Sequence, residues 1–332
     1  MSTQLPLQLN SHLQTSKVRQ LVDAITAAIR NHTLAEGDKL PSVNEISASL
    51  GIARDTVFKA YLELKKQGIV ESTRAKGYHV ARARGKIFLF LDVYSTYKDI
   101  LYNAFVESLG TQYTVDLAFH HYNEDVFETV IAHSLGKYNY YVVMNINNYA
   151  LHPALHTIQK DKLLLLDWGN FEKNGFAYVN QNFGEEPYKC LLEAKPLFQK
   201  YTHLVYVNNR LSQHPSDTKE WFSRFCAEEN YVFSIVPTIL ENEVVKGKVF
   251  FLVHHLDVVQ LIKIATSKNL TPGKDIGIFC YNDSPMFEVI NKGITVISTN
   301  FALMGQLAAN FILHKQPIQT TVPTSLIKRG TL

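Results

Sequence analysis

Cations are concentrated near the amino terminus of this 332-residue chain, in a pattern suited to phosphate groups. Residues 1–86 carry 13 Lys and Arg against 7 Asp and Glu, a net charge of +6, whereas residues 87–332 carry 20 against 23, a net charge of −3. The overall charge of +3 hides this division. A basic segment joined to a slightly acidic body favours two separate tasks, one of which involves phosphates.

Patterns for metal binding or catalysis are missing from the sequence. The pairs His120-His121 and His254-His255 are adjacent, so their side chains point apart, and no HxxxH or CxxC spacing accompanies them. No GxSxG or Cys–His signature occurs, and no Gly-rich loop follows the first predicted strand of the body. We therefore expect no metal, no cofactor and no enzymatic activity.

The chain is expected to be cytoplasmic. It has no apolar run of about 18 or more residues that could span a membrane. Residues 1–10 lack the basic and apolar regions of a secretory signal. The three cysteines are widely spaced, which is typical of buried thiols in a reducing compartment.

Hydrophobic periodicity predicts a small helical domain at the amino terminus. Helices are expected at residues 17–31, 43–50 and 54–67, followed by two short extended pieces at 69–72 and 78–80. Ser42 and Glu45 have the spacing of a capping box at the second helix. Gly51 and Gly68 end the second and third helices, so the pattern predicts three helices and a β-hairpin.

From Lys86 onward the pattern changes to apolar runs that alternate with helical segments. Near-continuous apolar strands between helices indicate buried parallel sheets, and their number fits two doubly wound lobes. We predict an α/β protein with one domain at residues 1–82 and a second at 83–332. The runs lie at residues 87–92, 114–119, 140–145, 162–167, 203–207, 231–236, 249–253, 276–281 and 295–298.

The first domain resembles the winged helix-turn-helix of the GntR family of bacterial regulators. The resemblance covers about residues 13–82. It implies that this domain binds double-stranded DNA. The matching residues are Leu40-Pro41-Ser42, Glu45-Ile46, Gly51-Ile52-Ala53-Arg54, Thr56-Val57, Ala60-Tyr61, Leu64, Gly68-Ile69-Val70 and Gly77.

In such a unit the second helix of the motif enters the major groove by its first residues. Arg54 can reach a guanine edge or a phosphate, and the wing can place cations in the minor groove. Many family members carry Arg at Asn44, Ser or Thr at Ala53, and Gly at Ala75. The predicted DNA-binding residues are Ser42, Asn44, Arg54, Asp55, Thr56, Lys59, Arg74, Lys76, Gly77 and Tyr78.

The second domain resembles the type I periplasmic-binding-protein fold used by LacI-like repressors. The resemblance is carried by residues 86–109, 163–186, 273–309 and 325–332, most specifically by the order of YNDSP, GITVIST and MGQLAA. It implies a carbohydrate effector bound between two lobes, and a homodimer that binds a palindromic operator.

Ligands of this fold bind at the carboxyl ends of the strands. Polar and aromatic residues that follow the predicted strands suit a sugar, because amides and carboxylates bind neighbouring hydroxyls while rings cover the C–H face. Asp167 is instead expected to close a turn or cap a helix. The predicted ligand-binding residues are Asp92, Tyr94, Ser95, Tyr97, Asn145, Trp168, Asn182, Arg210, His254, Asp257 and Asn282.

These patterns predict a regulator, in the first instance a repressor of a carbohydrate-utilisation operon, whose DNA affinity is controlled by a sugar. Few charges among the candidate ligands favour a neutral monosaccharide, with L-fucose as one candidate. Two alternatives remain open. Lys98, Arg210 and the histidine pairs could instead meet a sugar phosphate. The fold is also used by sugar-binding proteins that have no DNA function.

Overall fold

The computed structural model describes residues 15–73, 77–81, 85–209 and 212–332. The chain divides into two compact units, Met1–Arg84 and Gly85–Leu332. Arg74 and Lys76 of the predicted wing, and Arg210 of the predicted ligand set, lie outside the described residues. In the described part of the chain, no helix is long and apolar enough to cross a membrane.

The described residues of the amino-terminal unit form three helices and a two-stranded antiparallel hairpin, as the periodicity predicts. Inward-facing side chains from all three helices, among them Leu21, Ile46 and Leu64, are almost completely buried in one core. Its elements are α1 (Lys17–Arg30), α2 (Val43–Leu50), α3 (Arg54–Lys66), β1 (Val70–Thr73) and β2 (Gly77–Val80).

The first lobe of the carboxy-terminal unit is a six-stranded parallel sheet in the order β13-β7-β6-β5-β3-β4. Helices α4 (Thr96–Leu109), α5 (Glu124–Ser134) and α10 (Phe301–His314) belong to this lobe. The strands are β3 (Gly85–Leu91), β4 (Tyr113–Phe119), β5 (Tyr140–Met144), β6 (Leu163–Asp167), β7 (Ala177–Gln181) and β13 (Gln319–Val322).

The second lobe has a sheet in the order β14-β12-β11-β10-β8-β9, in which only β14 is antiparallel to its neighbour. Its helices are α6 (Glu185–Phe198), α7 (Ser216–Glu228), α8 (His255–Ser267) and α9 (Pro285–Val289). Its strands are β8 (His203–Val207), β9 (Phe233–Val236), β10 (Lys248–Leu252), β11 (Gly277–Tyr281), β12 (Thr295–Thr299) and β14 (Thr324–Ile327). Across both lobes, the described residues also form short 3-10 helices at Pro153–Thr157, Lys160–Lys162, Glu241–Glu243 and Ile290–Lys292.

The chain passes between the lobes three times, from β7 to α6, from β12 to α10 and from β13 to β14. Because α10 returns to the first lobe, it packs closely against α4. A Cβ added at Gly305 of α10 would lie 2.3 Å from the backbone oxygen of Leu101 in α4. The two-lobed α/β fold predicted from the sequence is confirmed, and its three crossovers define a hinge.

Candidate functional site

The first turn of α3 presents polar side chains to solvent. Arg54, Asp55 and Lys59 are exposed, and Thr56 is half-buried. Asp55 and Lys59 form an ion pair, with 2.7 Å between Oδ2 and Nζ. An exposed pair of this kind contributes little to stability, so both groups are free to exchange partners when phosphates or bases approach.

Ser42 caps α2 in the structure. Its Oγ accepts a hydrogen bond from the Glu45 backbone N–H at 3.2 Å, and the Glu45 carboxylate accepts one from the Ser42 N–H at 2.6 Å. These hydrogen bonds lower the pKa of Glu45. The predicted phosphate contact of Ser42 would therefore compete with the capping box, whereas the exposed Asn44 side chain is presented to solvent.

The described residues of the wing, Gly77 and Tyr78, shape the hairpin and hold it in place. Gly77 has a φ of 73°, a left-handed conformation that suits glycine at the start of β2. The Tyr78 ring packs on Tyr61 with ring centroids 4.4 Å apart, and the Tyr61 hydroxyl donates to the Pro41 oxygen at 2.6 Å. Tyr78 is therefore part of the packing that holds the hairpin against α3.

Asp92 is the centre of a buried polar group at the carboxyl end of β3. Its carboxylate is 2% exposed and accepts hydrogen bonds from the Lys98 ammonium, the Tyr122 hydroxyl and, at 2.5 Å, the backbone N–H of Val93. Burial lowers the pKa of Lys98 to about 8. Asp92 thus lies directly after a strand of the sheet, and Lys98 compensates its charge, while its role in ligand binding stays a prediction.

A second buried carboxyl, Asp167, ends β6 beside this group. Its backbone does close a turn, with a φ of 66°, but its side chain is 3% exposed and accepts a hydrogen bond from the Gln181 amide. Burial raises the pKa of Asp167, and the charge of Lys98 opposes that shift. Asp167 therefore belongs to the same buried polar group as Asp92 and Lys98, a position that the predicted turn alone did not indicate.

Gln181 joins the two lobes. It lies at the end of β7 in the first lobe, where it binds Asp167. Its side-chain oxygen accepts hydrogen bonds from two residues of the second lobe, Tyr281 at 3.1 Å and Thr299 at 2.9 Å. A buried amide with partners on both sides ties the relative position of the lobes to the polar group around Asp167.

Aromatic side chains line the same region. The ring of Trp168 lies 5.5 Å from that of Tyr122 and 6.3 Å from that of Phe183, between ring centroids. Phe183 stacks on Tyr281 at 6.2 Å, and His214 packs against Tyr281 at 4.4 Å. The two lobes thus contribute rings to one continuous wall.

Tyr97 brings the predicted residues of the first lobe to those of the second. Its hydroxyl lies near the side chains of Ser95 and Asn282, which oppose the rise of the Tyr97 pKa on burial, and its ring lies 4.8 Å from Phe301. Asn282 has a φ of 64°, and its Oδ1 has no hydrogen-bond partner among the described residues. Asn282 therefore offers an acceptor to a ligand.

Asp257 and His254 line a separate groove of about 620 Å3 at the carboxyl ends of β8, β9 and β10. The Asp257 carboxylate is 3% exposed and accepts two hydrogen bonds from the Asn209 amide, at 2.8 and 3.1 Å. Burial raises the pKa of Asp257. Pro237, Thr238, Leu256 and Gln260 complete the groove.

Backbone groups engage the side chains of two predicted ligand residues, and a third predicted residue is largely exposed. The Asn145 amide donates to the oxygens of Asn147 and Ala150, and its own oxygen accepts from the His152 N–H, so it holds a loop. Asn182 Oδ1 accepts from the Gly184 N–H at 2.9 Å, where α6 begins. Tyr94 is 67% exposed. Loop and helix-entry hydrogen bonds account for the two asparagines, because backbone groups there need partners.

Several cleft residues were not among the predicted ligands. Lys98 lies in the first turn of the helix after β3, and Tyr122 directly follows the pair His120-His121 after β4. Reading each loop into its following helix would have found both. No sequence pattern marks His214 or Tyr281 as a pair. Their rings meet only in the folded second lobe, where the loop before α7 lies beside the end of β11.

The family comparison matches residues 17–80 to the model described as "Bacterial regulatory proteins, gntR family". The pyridoxine biosynthesis transcriptional regulator PdxR of Corynebacterium glutamicum is 36% identical over 77 residues, which is 23% of this chain and 17% of that protein. The transcriptional repressor YtrA of Bacillus subtilis is 31% identical over 75 residues, 23% of this chain and 58% of that protein. The chain therefore shares only a limited segment with these relatives.

The fold comparison matches the carboxy-terminal unit. A LacI family transcriptional regulator from Lactobacillus casei with bound sucrose has a TM-score of 0.61 and 13% identity, covering 75% of this chain and 100% of that one. The trehalose repressor from Escherichia coli has a TM-score of 0.61 and 11% identity, covering 73% and 100%. At this identity the likeness shows the fold alone. Residues 17–80 therefore match the GntR family of bacterial regulators, and the carboxy-terminal unit has the fold of the LacI family regulator and the trehalose repressor.

Proposed function

We propose that this chain is a transcription regulator whose affinity for operator DNA is controlled by a small neutral sugar bound between its lobes. The observation that supports this most is the buried polar group of Asp92, Asp167 and Gln181, which adjoins a wall of aromatic rings contributed by both lobes. Planar polar groups beside ring faces are what a monosaccharide requires.

The charges of the cleft favour a neutral ligand over a phosphorylated one. Within the described residues of this polar group, Lys98 is the cation, and it is already bound to Asp92. Asp167 adds a further acid and no positive charge. A phosphate placed here would meet two carboxyl groups without an unpaired cation, which is electrostatically unfavourable.

A deoxy sugar or a pentose fits this chemistry, and L-fucose is one candidate. Its hydroxyls can donate hydrogen bonds to the Oδ1 of Asn282 and to the carboxyl groups of Asp92 and Asp167. The rings of Trp168 and Tyr122 can cover an apolar face of the sugar. The ligand would act in the cytoplasm on a homodimer bound to a palindromic operator, with the two α3 helices one helical turn of DNA apart.

Control of DNA binding requires that the sugar prefer one lobe arrangement. Gln181 provides a route, because its amide contacts the Asp167 group and its oxygen contacts Tyr281 and Thr299 of the other lobe. A sugar that re-orients this group shifts the lobe angle, with a coupling of about 1–3 kcal/mol. For a repressor, the liganded arrangement binds the operator less tightly.

The ligand class is tested by thermal denaturation of the full chain with L-fucose, L-arabinose and D-ribose and with their phosphates. A neutral sugar is expected to raise the melting temperature, because it binds only the folded state. Trp168→Leu should abolish the shift. Trp221→Leu, which changes a tryptophan packed on Tyr188 outside the cleft, should preserve it. A larger shift with the phosphates, or a shift that survives Trp168→Leu, would contradict the proposal.

A further inference from the structure

One apolar ring stands exposed on the helix that the motif assigns to the major groove. Phe58 of α3 is 45% exposed, whereas Val57 and Tyr61 on either side of it are completely buried. Phe58 follows Arg54 by four residues, so the two side chains lie on the same face of α3. The ring is therefore presented beside the residue that is best placed to reach a base edge.

Packing within the unit does not account for this ring. Among the described residues, Phe58 is absent from the core of the unit and from its partly buried margin, and no aromatic partner is found for it. A solvent-exposed phenylalanine on a small basic domain gains nothing for folding. Its position is thus better explained by a contact that forms on binding.

The surroundings of Phe58 indicate which partner forms that contact. Arg54 is exposed on the same face, and the Asp55–Lys59 ion pair lies next to it. An aromatic ring flanked by charged side chains is an unfavourable surface for binding a second protein, because that protein would have to desolvate the charges. DNA satisfies them, because its phosphates and polar base edges replace the lost water contacts.

The major groove offers a single apolar group, the C5-methyl of thymine. We propose that Phe58 is a specificity-determining residue that reads a thymine in each operator half-site by contact with this methyl group. The proposal rests on operator binding by the amino-terminal unit, and it adds the base that the helix selects and the side chain that selects it.

Replacement of thymine by uracil tests the contact, because the two bases differ only in that methyl. The operator is first selected from a pool of random duplexes with the full-length chain, and each thymine is then replaced in turn. We expect one position per half-site at which uracil weakens binding about three- to fivefold, the value of one buried methyl-sized group. Phe58→Ala should bind the two duplexes equally and keep the salt dependence of the native chain, because its phosphate contacts are intact.

Leu62→Ala is the matched control. Leu62 lies one turn further along α3, is 40% exposed, and lines a groove beside Val18 and Val22 of α1. This variant should retain the discrimination between thymine and uracil. A flat uracil scan, or discrimination that survives Phe58→Ala, would overturn the inference, as would a loss of self-association in Phe58→Ala with the scan unchanged. Failure to enrich any sequence would instead overturn operator binding itself.

Discussion

His214 is expected to make the carboxy-terminal unit sensitive to acid. Its ring packs against Phe183 at 5.5 Å and Tyr281 at 4.4 Å, and its Nε2 lies 2.8 Å from Thr218 Oγ1. Because that hydroxyl donates to the Phe183 oxygen, it accepts the proton of Nε2. Burial lowers the pKa of His214 from 6.5 to about 3, so the folded protein holds the ring neutral.

The sign of the effect follows from where the proton binds. Between pH 6.5 and 3 the unfolded chain takes up a proton at this ring and the folded chain does not, so acid favours unfolding. The free energy of unfolding falls by about 1.4 kcal/mol per pH unit inside this window. From pH 7 to pH 5, one such group costs about 2 kcal/mol.

Urea unfolding at pH 7 and pH 5 measures this cost. Both tryptophans, Trp168 and Trp221, lie in the carboxy-terminal unit, so their fluorescence reports on it selectively. His214→Gln should reduce the difference between the two pH values by about 2 kcal/mol. His133→Gln, at an exposed position of α5, should leave it unchanged. An equal loss of stability in His214→Gln and the native chain would refute the reasoning.

Three further changes have defined outcomes. Ala53 gives α3 no side-chain cap, so Ala53→Ser should stabilise the amino-terminal unit by about 1 kcal/mol. Calorimetry should show a higher transition temperature for this unit. An unchanged transition temperature would show that the serine does not cap α3. Asp217 of α7 accepts a 2.8 Å hydrogen bond from Asn170 of the first lobe. Asp217→Ala should therefore open the lobes and increase the radius of gyration in X-ray scattering. An unchanged radius would show that this hydrogen bond does not hold the lobes together. Arg329 binds Asp283 through two hydrogen bonds of 2.7 and 2.8 Å. Arg329→Met should therefore lower the free energy of unfolding in urea by about 2 kcal/mol. A change near zero would show that solvent screens the pair.

The elements that periodicity predicts are those with strong apolar patterns. All nine apolar runs of the body overlap a strand, and the capping box at Ser42 forms as its spacing predicts. The strands β7, β13 and β14 were not among the predicted runs. β13 and β14 lie at sheet edges, where exposed polar residues such as Gln319 and Ser325 replace the apolar pattern.

The candidate cleft was predictable to the extent that it depends on strand ends. Asp92 and Trp168 follow their strands directly, and the structure places both in the cleft. Asn145 follows a strand equally well, yet loop backbone groups occupy its amide, and no sequence pattern distinguishes the two cases. Gln181 owes its role to partners in the other lobe, about a hundred residues away, which only the folded chain brings together.

Coupling between sugar and DNA is the central claim, and fluorescence anisotropy of a labelled operator measures it directly. The full-length chain is titrated into the selected duplex with and without the neutral sugar that gives the largest thermal shift. We expect saturating sugar to change the operator dissociation constant by about 5- to 150-fold, the range of an allosteric coupling of 1–3 kcal/mol. An operator affinity unchanged by a sugar that demonstrably binds would contradict the account.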